Sequence, residues 1–252
     1  MKRFSYKKEL TIEDILKNLE NFYKKLPETS GCLENINKEN GCGGWCCKFQ
    51  SPQVLNVEFI NTWNFVLNNF SEEEVVELLE KSIRNYLSNE FSKGCVFWNK
   101  ETKLCKIHVA RPFNCYLYGI TPKEEFTERY IRMKKEHKNE LGAVIRQQCD
   151  LVSTVNCGMP TIEETEKLWK ELIEIEKNIG VDENLIHDGD GGTYRTYHDY
   201  ILIKLLPVNS LSDMTTLRLY GTMEEKEQFV CNFISSFKKA YIKNTKDGDS
   251  KQ

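Results

Sequence analysis

Apolar residues fall at three-and-four spacing along most of this chain, and capping signals mark where the periodic runs begin. Thr11-Ile12-Glu13-Asp14 predicts a helix start, with Ile12, Ile15, Leu16, Leu19, Phe22, Tyr23 and Leu26 on one continuous face and Pro27 and Gly31 closing it. A second run carries Phe59, Ile60, Trp63, Val66, Leu67 and Phe70. Ser71-Glu72-Glu73-Glu74 caps a third, bearing Val75, Val76, Leu79, Ile83, Tyr86 and Leu87. Thr121-Pro122 sets an N-cap and a proline at the first helical position, ahead of Phe126, Tyr130, Met133, His137 and Leu141. Thr161 and Glu164 open another helix, with Leu168, Trp169, Leu172, Ile175 and Ile179 inward. The clearest is the last: Thr222-Met223-Glu224-Glu225, then Phe229, Val230, Phe233, Ile234, Phe237, Ala240 and Tyr241.

Such stripes are core faces, each needing a partner surface. Between residues 181 and 221 the pattern weakens, and Tyr200 to Leu206 reads equally as a short strand or a buried helix. No βαβ alternation is present. The expected fold is therefore mainly α, with irregular cysteine-rich metal-binding loops packed among amphipathic helices and few or no strands. Along the chain this predicts an N-terminal helix over 1–31, a cysteine-cluster region over 32–160 and a helical C-terminal region over 161–244. A frayed tail over 245–252 completes it. The C-terminal region should fold back, with Phe229, Phe233 and Phe237 against helices of the N-terminal half.

Composition narrows the function classes. The 252 residues carry 35 Lys+Arg against 38 Asp+Glu, a net charge of −3. A binder of phosphate backbones would show a basic excess, so no nucleic-acid partner is expected. No apolar run approaches the roughly 18 residues that span a bilayer, and the basic N-terminus has no apolar stretch behind it. The expectation is a cytoplasmic protein without a membrane partner.

Cysteine changes the picture. There are 10, and nine lie outside the clear helices: Cys32, Cys42, Cys46, Cys47, Cys95, Cys105, Cys115, Cys149 and Cys157. Clustered thiols in a reducing compartment are metal ligands or redox groups more often than disulfide staples. No Cys-x-x-Cys occurs, which removes the zinc ribbon, the treble-clef finger and the thioredoxin-type pair. The radical-SAM spacing fails because Phe49 stands where its third cysteine belongs, and the bacterial ferredoxin run fails as well. What remains is Cys42, then Cys46 and Cys47 adjacent. A dipeptide rarely points two thiolates at one tetrahedral ion; it suits neighbouring metals or different corners of a cluster. Glycines at 41, 43 and 44 let the backbone turn closely around such a group. The plain alternative is a pair of small buried hydrophobes.

Gly41-Cys42-Gly43-Gly44-Trp45-Cys46-Cys47, Cys95-Val96-Phe97-Trp98 and Cys105-x9-Cys115 with Arg111-Pro112 inside it resemble the YkgJ-type, or CxxCxxCC, cysteine-cluster family. That family is described as a zinc- or iron-chelating domain, and the resemblance runs over about residues 32–157. It departs from the family at its start: Cys32 lies far upstream, and Cys42-x3-Cys46-Cys47 replaces the opening Cys-x2-Cys-x2-Cys-Cys. One branch, the flagellin lysine N-methylases, is similar in its cysteine domain and is thought to carry an iron–sulfur cluster.

Spacing and resemblance together make Cys42, Cys46, Cys47, Cys95, Cys105 and Cys115 the expected ligands, with Cys149 and Cys157 after them. Cys231, beside Val230 in the last helix, reads as core. Arg111 reads equally as a partial counter-charge to clustered thiolates or as an ordinary surface arginine before a turn, and His108 reads as packing or a hydrogen-bond donor more than as a nitrogen ligand. His187-Asp188-Gly189-Asp190-Gly191-Gly192 fits neither an EF-hand nor a phosphate loop and reads as an exposed turn. No acid pair, nucleophile–base pair or dinucleotide fingerprint is present, so no catalytic residue is assigned. All-thiolate ligation fits an iron–sulfur cluster, of the [4Fe–4S] type, or zinc. The number of thiols favours iron. The expectation is a metal-cluster protein with a redox, cluster-handling or modification role. Its alternatives are a structural zinc module that binds a protein partner, or a lysine N-methylase-like enzyme.

Overall fold

The capping boxes start the helices they announce. In the computed structural model, which describes residues 11–32, 43–88, 93–121, 152–155, 157–187 and 191–248, helix α1 spans Ile12–Tyr23. The Thr11 hydroxyl accepts the Asp14 N–H at 3.1 Å, and the Asp14 carboxylate accepts the Thr11 N–H at 3.1 Å. The same reciprocal pair forms between Ser71 and Glu74, Thr161 and Glu164, and Thr222 and Glu225. After α1 come α2 (Trp45–Phe49), α3 (Asn56–Asn69), α4 (Glu72–Leu87), α5 (Phe113–Leu117) and α6 (Ile162–Asn178). The chain continues through α7 (Tyr197–Leu205), α8 (Val208–Tyr220) and α9 (Met223–Gly248). The helix expected after Thr121 lies outside the described residues.

The fold is mainly α, as expected. The ambiguous stretch resolves as helix: α7 buries Tyr197, Tyr200, Ile201 and Leu202 and packs along α4. Four strands of two residues each pair antiparallel, β1 (Thr29–Ser30) with β3 (Ser153–Thr154) and β2 (Gln53–Val54) with β4 (Arg195–Thr196). Each ladder joins chain from the first quarter to chain beyond residue 150.

Three apolar clusters hold the helices. Ile15, Leu19 and Phe22 of α1, with Leu26 just beyond its end, pack with Phe113, Leu117 and Ile120 around α5 and with Leu172 of α6. Phe22 and Phe113 meet edge to face at 5.4 Å. A second cluster places Phe59, Trp63 and Val66 of α3 against Phe97, Ile107 and Tyr197. In the third, Leu79, Ile83 and Leu87 of α4 meet Leu202, Met214 and Val230, with Phe229, Phe233 and Phe237 packed half-buried beside them. The C-terminal phenylalanines therefore cover an N-terminal helix. Leu67 and Cys231 depart from their expected places. Leu67 is exposed, and Cys231 faces solvent because Val230 takes the inward position and the next helical residue lies about 100° further round.

Two carboxylates are buried with this frame. Glu176 of α6 accepts the N–H groups of Asn56 and Val57 at 3.1 and 2.8 Å, where the first turn of α3 leaves donors free. Glu58 accepts from Leu55 N–H at 3.1 Å, Phe113 N–H at 2.6 Å and the Tyr23 hydroxyl at 2.9 Å. Glu58 thus fixes the start of α5, the helix that carries Cys115. Among the described residues, no helix is long and apolar enough to cross a membrane.

Candidate metal centre

Short pieces of chain supply the thiols. Cys46 and Cys47 lie in the five-residue α2 and Cys115 in the five-residue α5. They were expected in loops; brief helices hold them, too short to leave a periodic stripe. Gly44 makes the turn into α2 with φ of +74°, and a Cβ there would stand 2.5 Å from the Lys103 carbonyl and 2.6 Å from Trp98 Nε1. Only glycine fits, both for its backbone angle and for the closeness of these neighbours.

Cys95 and Cys105 come from one folded-back segment. Trp98 bridges to Cys105 antiparallel, the Asn99 N–H donates to the Leu104 carbonyl at 2.9 Å and the Lys106 N–H to the Phe97 carbonyl at 2.9 Å. Its register to α2 is set by the Cys95 N–H, which donates to the Cys47 carbonyl at 2.7 Å. A short 3-10 turn, His108–Ala110, then leads into Arg111-Pro112 and α5.

These pieces surround one cavity of roughly 600 Å³. Cys46, Cys47, Cys95, Cys105 and Cys115 all line it, and so does Cys32. All six are free thiols. The Sγ atoms of Cys46 and Cys47 are 3.9 Å apart. No aspartate or glutamate is among the described lining residues, and Arg111 is the only lysine or arginine there. Among the described residues, no three His, Cys, Asp or Glu side chains are drawn together closely enough to hold a single ion as they stand. The thiols share the wall of one space and do not form a closed four-ligand cage.

The thiols differ in acidity. Cys47 is hydrogen-bonded to Cys105 and Cys46, which pushes its own proton affinity up and lowers that of both neighbours. Burial pushes Cys95 and Cys115 up. The Arg111 guanidinium acts the other way, a smaller pull downward on Cys46, Cys105 and Cys115. It is held by His108 Nε2 at 2.8 Å and the Thr29 hydroxyl at 2.9 Å, and stacks over the Tyr116 ring at 4.6 Å. The reading of Arg111 as a counter-charge to clustered thiols matches this placement, and His108 is its hydrogen-bonding neighbour.

Of the expected ligands, Cys42 and Cys149 lie outside the described residues. Cys157 is exposed just before α6, its carbonyl accepting from the Thr154 hydroxyl at 2.7 Å, and is not among the lining residues. Sequence reasoning set Cys32 far upstream of the motif and outside the expected ligands, yet it lines the cavity. It missed Asn114, Tyr194 and Tyr197, which also line it. Asn114 was within view, one residue before a candidate ligand. The two tyrosines come from the stretch where periodicity failed, and only the β2–β4 pairing carries them to the site.

Residues 38–150 match the family model CxxCxxCC, described as "Putative zinc- or iron-chelating domain". The resemblance read from the cysteine motifs is borne out over that span. No curated protein and no solved structure matches the chain.

Proposed function

We propose, taking residues 38–150 as a zinc- or iron-chelating domain, that the cavity thiols hold an iron–sulfur cluster. Cys46, Cys47, Cys95, Cys105 and Cys115 are the ligands and spare thiols, with Cys42 and Cys149 in the same set by sequence. One observation carries this reading: five motif thiols from separate segments open on one cavity with no carboxylate in its described lining. Thiolates without oxygen ligands suit iron–sulfur clusters and zinc, not calcium or magnesium. More than four thiols on the wall of one cavity of roughly 600 Å³ suit a multi-atom cluster better than one closed tetrahedral ion.

When bound, such a cluster supplies one-electron redox chemistry or a polarising iron site. The chain's own part is to supply thiolates. Cys46 and Cys105, already lowered, lose protons first; Cys95 and Cys115 give theirs up only as metal binds, so loading releases protons. Arg111 offsets part of the resulting charge. A redox, cluster-handling or modification role follows from the cluster.

The second reading is structural zinc with a protein partner. The Cys46–Cys47 separation of 3.9 Å favours it, being close to an edge of a thiolate tetrahedron with bonds of about 2.3 Å. Absorption of protein purified without oxygen, with metal analysis, separates the two. A brown protein whose visible absorption bleaches on reduction supports the cluster. A colourless protein with stoichiometric zinc overturns it in favour of the second reading.

A further inference from the structure

The cavity is larger than its thiols require. At roughly 600 Å³ it falls within the ~300–1,000 Å³ typical of small-molecule sites, whereas a metal centre seated on thiolates is defined by bonds of about 2.3 Å. The rest of the lining has the composition of such a site: Pro112, Leu117 and Tyr194 give apolar surface, and Asn114 adds an amide. Asn114 is itself held in place, its Nδ2 donating to the Gln53 carbonyl at 2.7 Å and to the Tyr194 hydroxyl.

Arg111 is the charged feature of this space. A guanidinium carries five N–H donors. One goes to His108 and one to Thr29, and no carboxylate pairs with it among the described residues. Stacking on Tyr116 fixes the plane of the fork. Ser51 also lines the cavity, and its hydroxyl is buried without a hydrogen-bond partner. A planar cation with unused donors and no carboxylate neighbour in the described lining matches an anion. The charge count selects which one. A single guanidinium balances one negative charge; a phosphate dianion would bring a second, and the described lining holds no other lysine or arginine to meet it. The apolar walls match an organic body.

We infer that the cavity binds a small organic monocarboxylate through Arg111, beside the metal centre. This rests on the metal reading for the identity of the sulfur-lined wall, while Arg111 and the Tyr194 wall are independent of it. The carboxylate takes the remaining guanidinium N–H groups, and the apolar body lies along Tyr194.

Calorimetric titration of the full chain with benzoate tests this, run on protein as purified without oxygen and again after chelator treatment. Benzyl alcohol and inorganic phosphate serve as probes lacking one feature each. Saturable binding of benzoate alone is expected, weakened roughly tenfold or more in Arg111→Gln, the loss of one charge-assisted pair. Metal content is measured beside the affinity, and wild type and variant are compared at equal metal loading and again after chelation. Absence of benzoate binding, equal binding of benzyl alcohol or phosphate, or unchanged benzoate affinity in chelated Arg111→Gln overturns the inference, the last showing that Arg111 serves the thiolates only. Metal analysis judges the metal reading separately: a metal-free protein that still binds benzoate through Arg111 sinks that reading and keeps this one. Wild-type protein gives a check without any variant, since benzoate should slow modification of Arg111 by an arginine-specific dicarbonyl. No slowing counts against the site.

Discussion

The helical frame and the thiol cavity are built on different terms. The frame of α1, α6, α4 and α9 is made of runs of 12 to 26 residues, each with its own cap and apolar stripe. Its stability is internal, arising from apolar area removed from water. Around the cavity the helices that carry thiols have five residues, and the strands have two. Such pieces are too short to be stable alone and are held by neighbours: Glu58 on the Phe113 N–H, the Cys47 carbonyl on the Cys95 N–H, β2 on β4. One region is held by its own packing. The other is held by the frame and, with metal bound, by its occupant.

A core truncation in the frame should show the largest effect. Phe22 is buried to 1% exposure and touches Phe113 across the α1–α5 contact. Phe22→Ala should cost about 3–5 kcal/mol in urea unfolding, the usual range for a buried phenylalanine. The cost should be the same with metal and after chelation. A cost that appears only in metal-loaded protein would mean that α1 is held by the site, reversing the dependence of cavity on frame.

Loss of a cavity thiol should behave in the opposite way. Cys115 is partly exposed at the wall, and serine keeps nearly its volume, so the metal-free chain should lose under about 1 kcal/mol from Cys115→Ser. In metal-loaded protein the difference should reach about 3–4 kcal/mol, as expected for ligand present at a hundred to a thousand times its dissociation constant. Bound metal per chain, measured beside stability, must fall with it. Unchanged metal content would remove Cys115 from the ligands.

How much of each region was legible follows from the same difference. The caps at Thr11, Ser71, Thr161 and Thr222 each use a side chain three residues from its partner, so local sequence suffices to find them. α7 was ambiguous because it is buried on nearly all sides, which erases the periodic signal that separates helix from strand. The cysteine motifs pointed to five lining thiols because the chemistry of sulfur does not depend on secondary structure. Tyr194 and Tyr197 reach the cavity through a two-residue ladder whose partner lies more than a hundred residues earlier, and no local pattern encodes that pairing. Cys157 sat in the right neighbourhood of the sequence and faces solvent.

The junction between the regions is the buried carboxylate of Glu176, and pH should expose it. Burial pushes this group up from 4.5 to about 7, against the pull of the Val57 and Asn56 N–H groups, with nearby Glu58 also raising it. Its affinity for a proton is therefore greater in the folded chain than in the unfolded one. Between pH 4.5 and 7 the folded state holds the extra proton, so stability falls as pH rises through that window. The fall should be about 1–3 kcal/mol, because each tenfold gain in proton affinity is worth about 1.36 kcal/mol and relaxation around the charge recovers part of it. Glu176→Gln keeps an oxygen acceptor for the start of α3 and removes the titration. The wild-type-minus-variant difference across urea midpoints at pH 4.5 to 7 should carry that slope. A flat difference would show that the helix N-terminus fully compensates the buried anion.

The smallest effect is the most discriminating, because it uses the same chemical change as the second test. Cys231 is exposed on α9, with its sulfur 3.7 Å from the Glu227 carboxylate one turn earlier. A serine hydroxyl can make the same contact, and no buried surface is lost. Cys231→Ser should therefore shift stability by no more than about 0.5 kcal/mol in either direction, with and without metal. Metal content should equal that of wild type. Set beside Cys115→Ser, this isolates position from residue type: two cysteines, one substitution, and a metal-dependent cost at one of them only. Should Cys231→Ser also lose metal, thiol number instead of cavity geometry would govern loading, and the separation of frame from cavity would fail at its sulfur atoms.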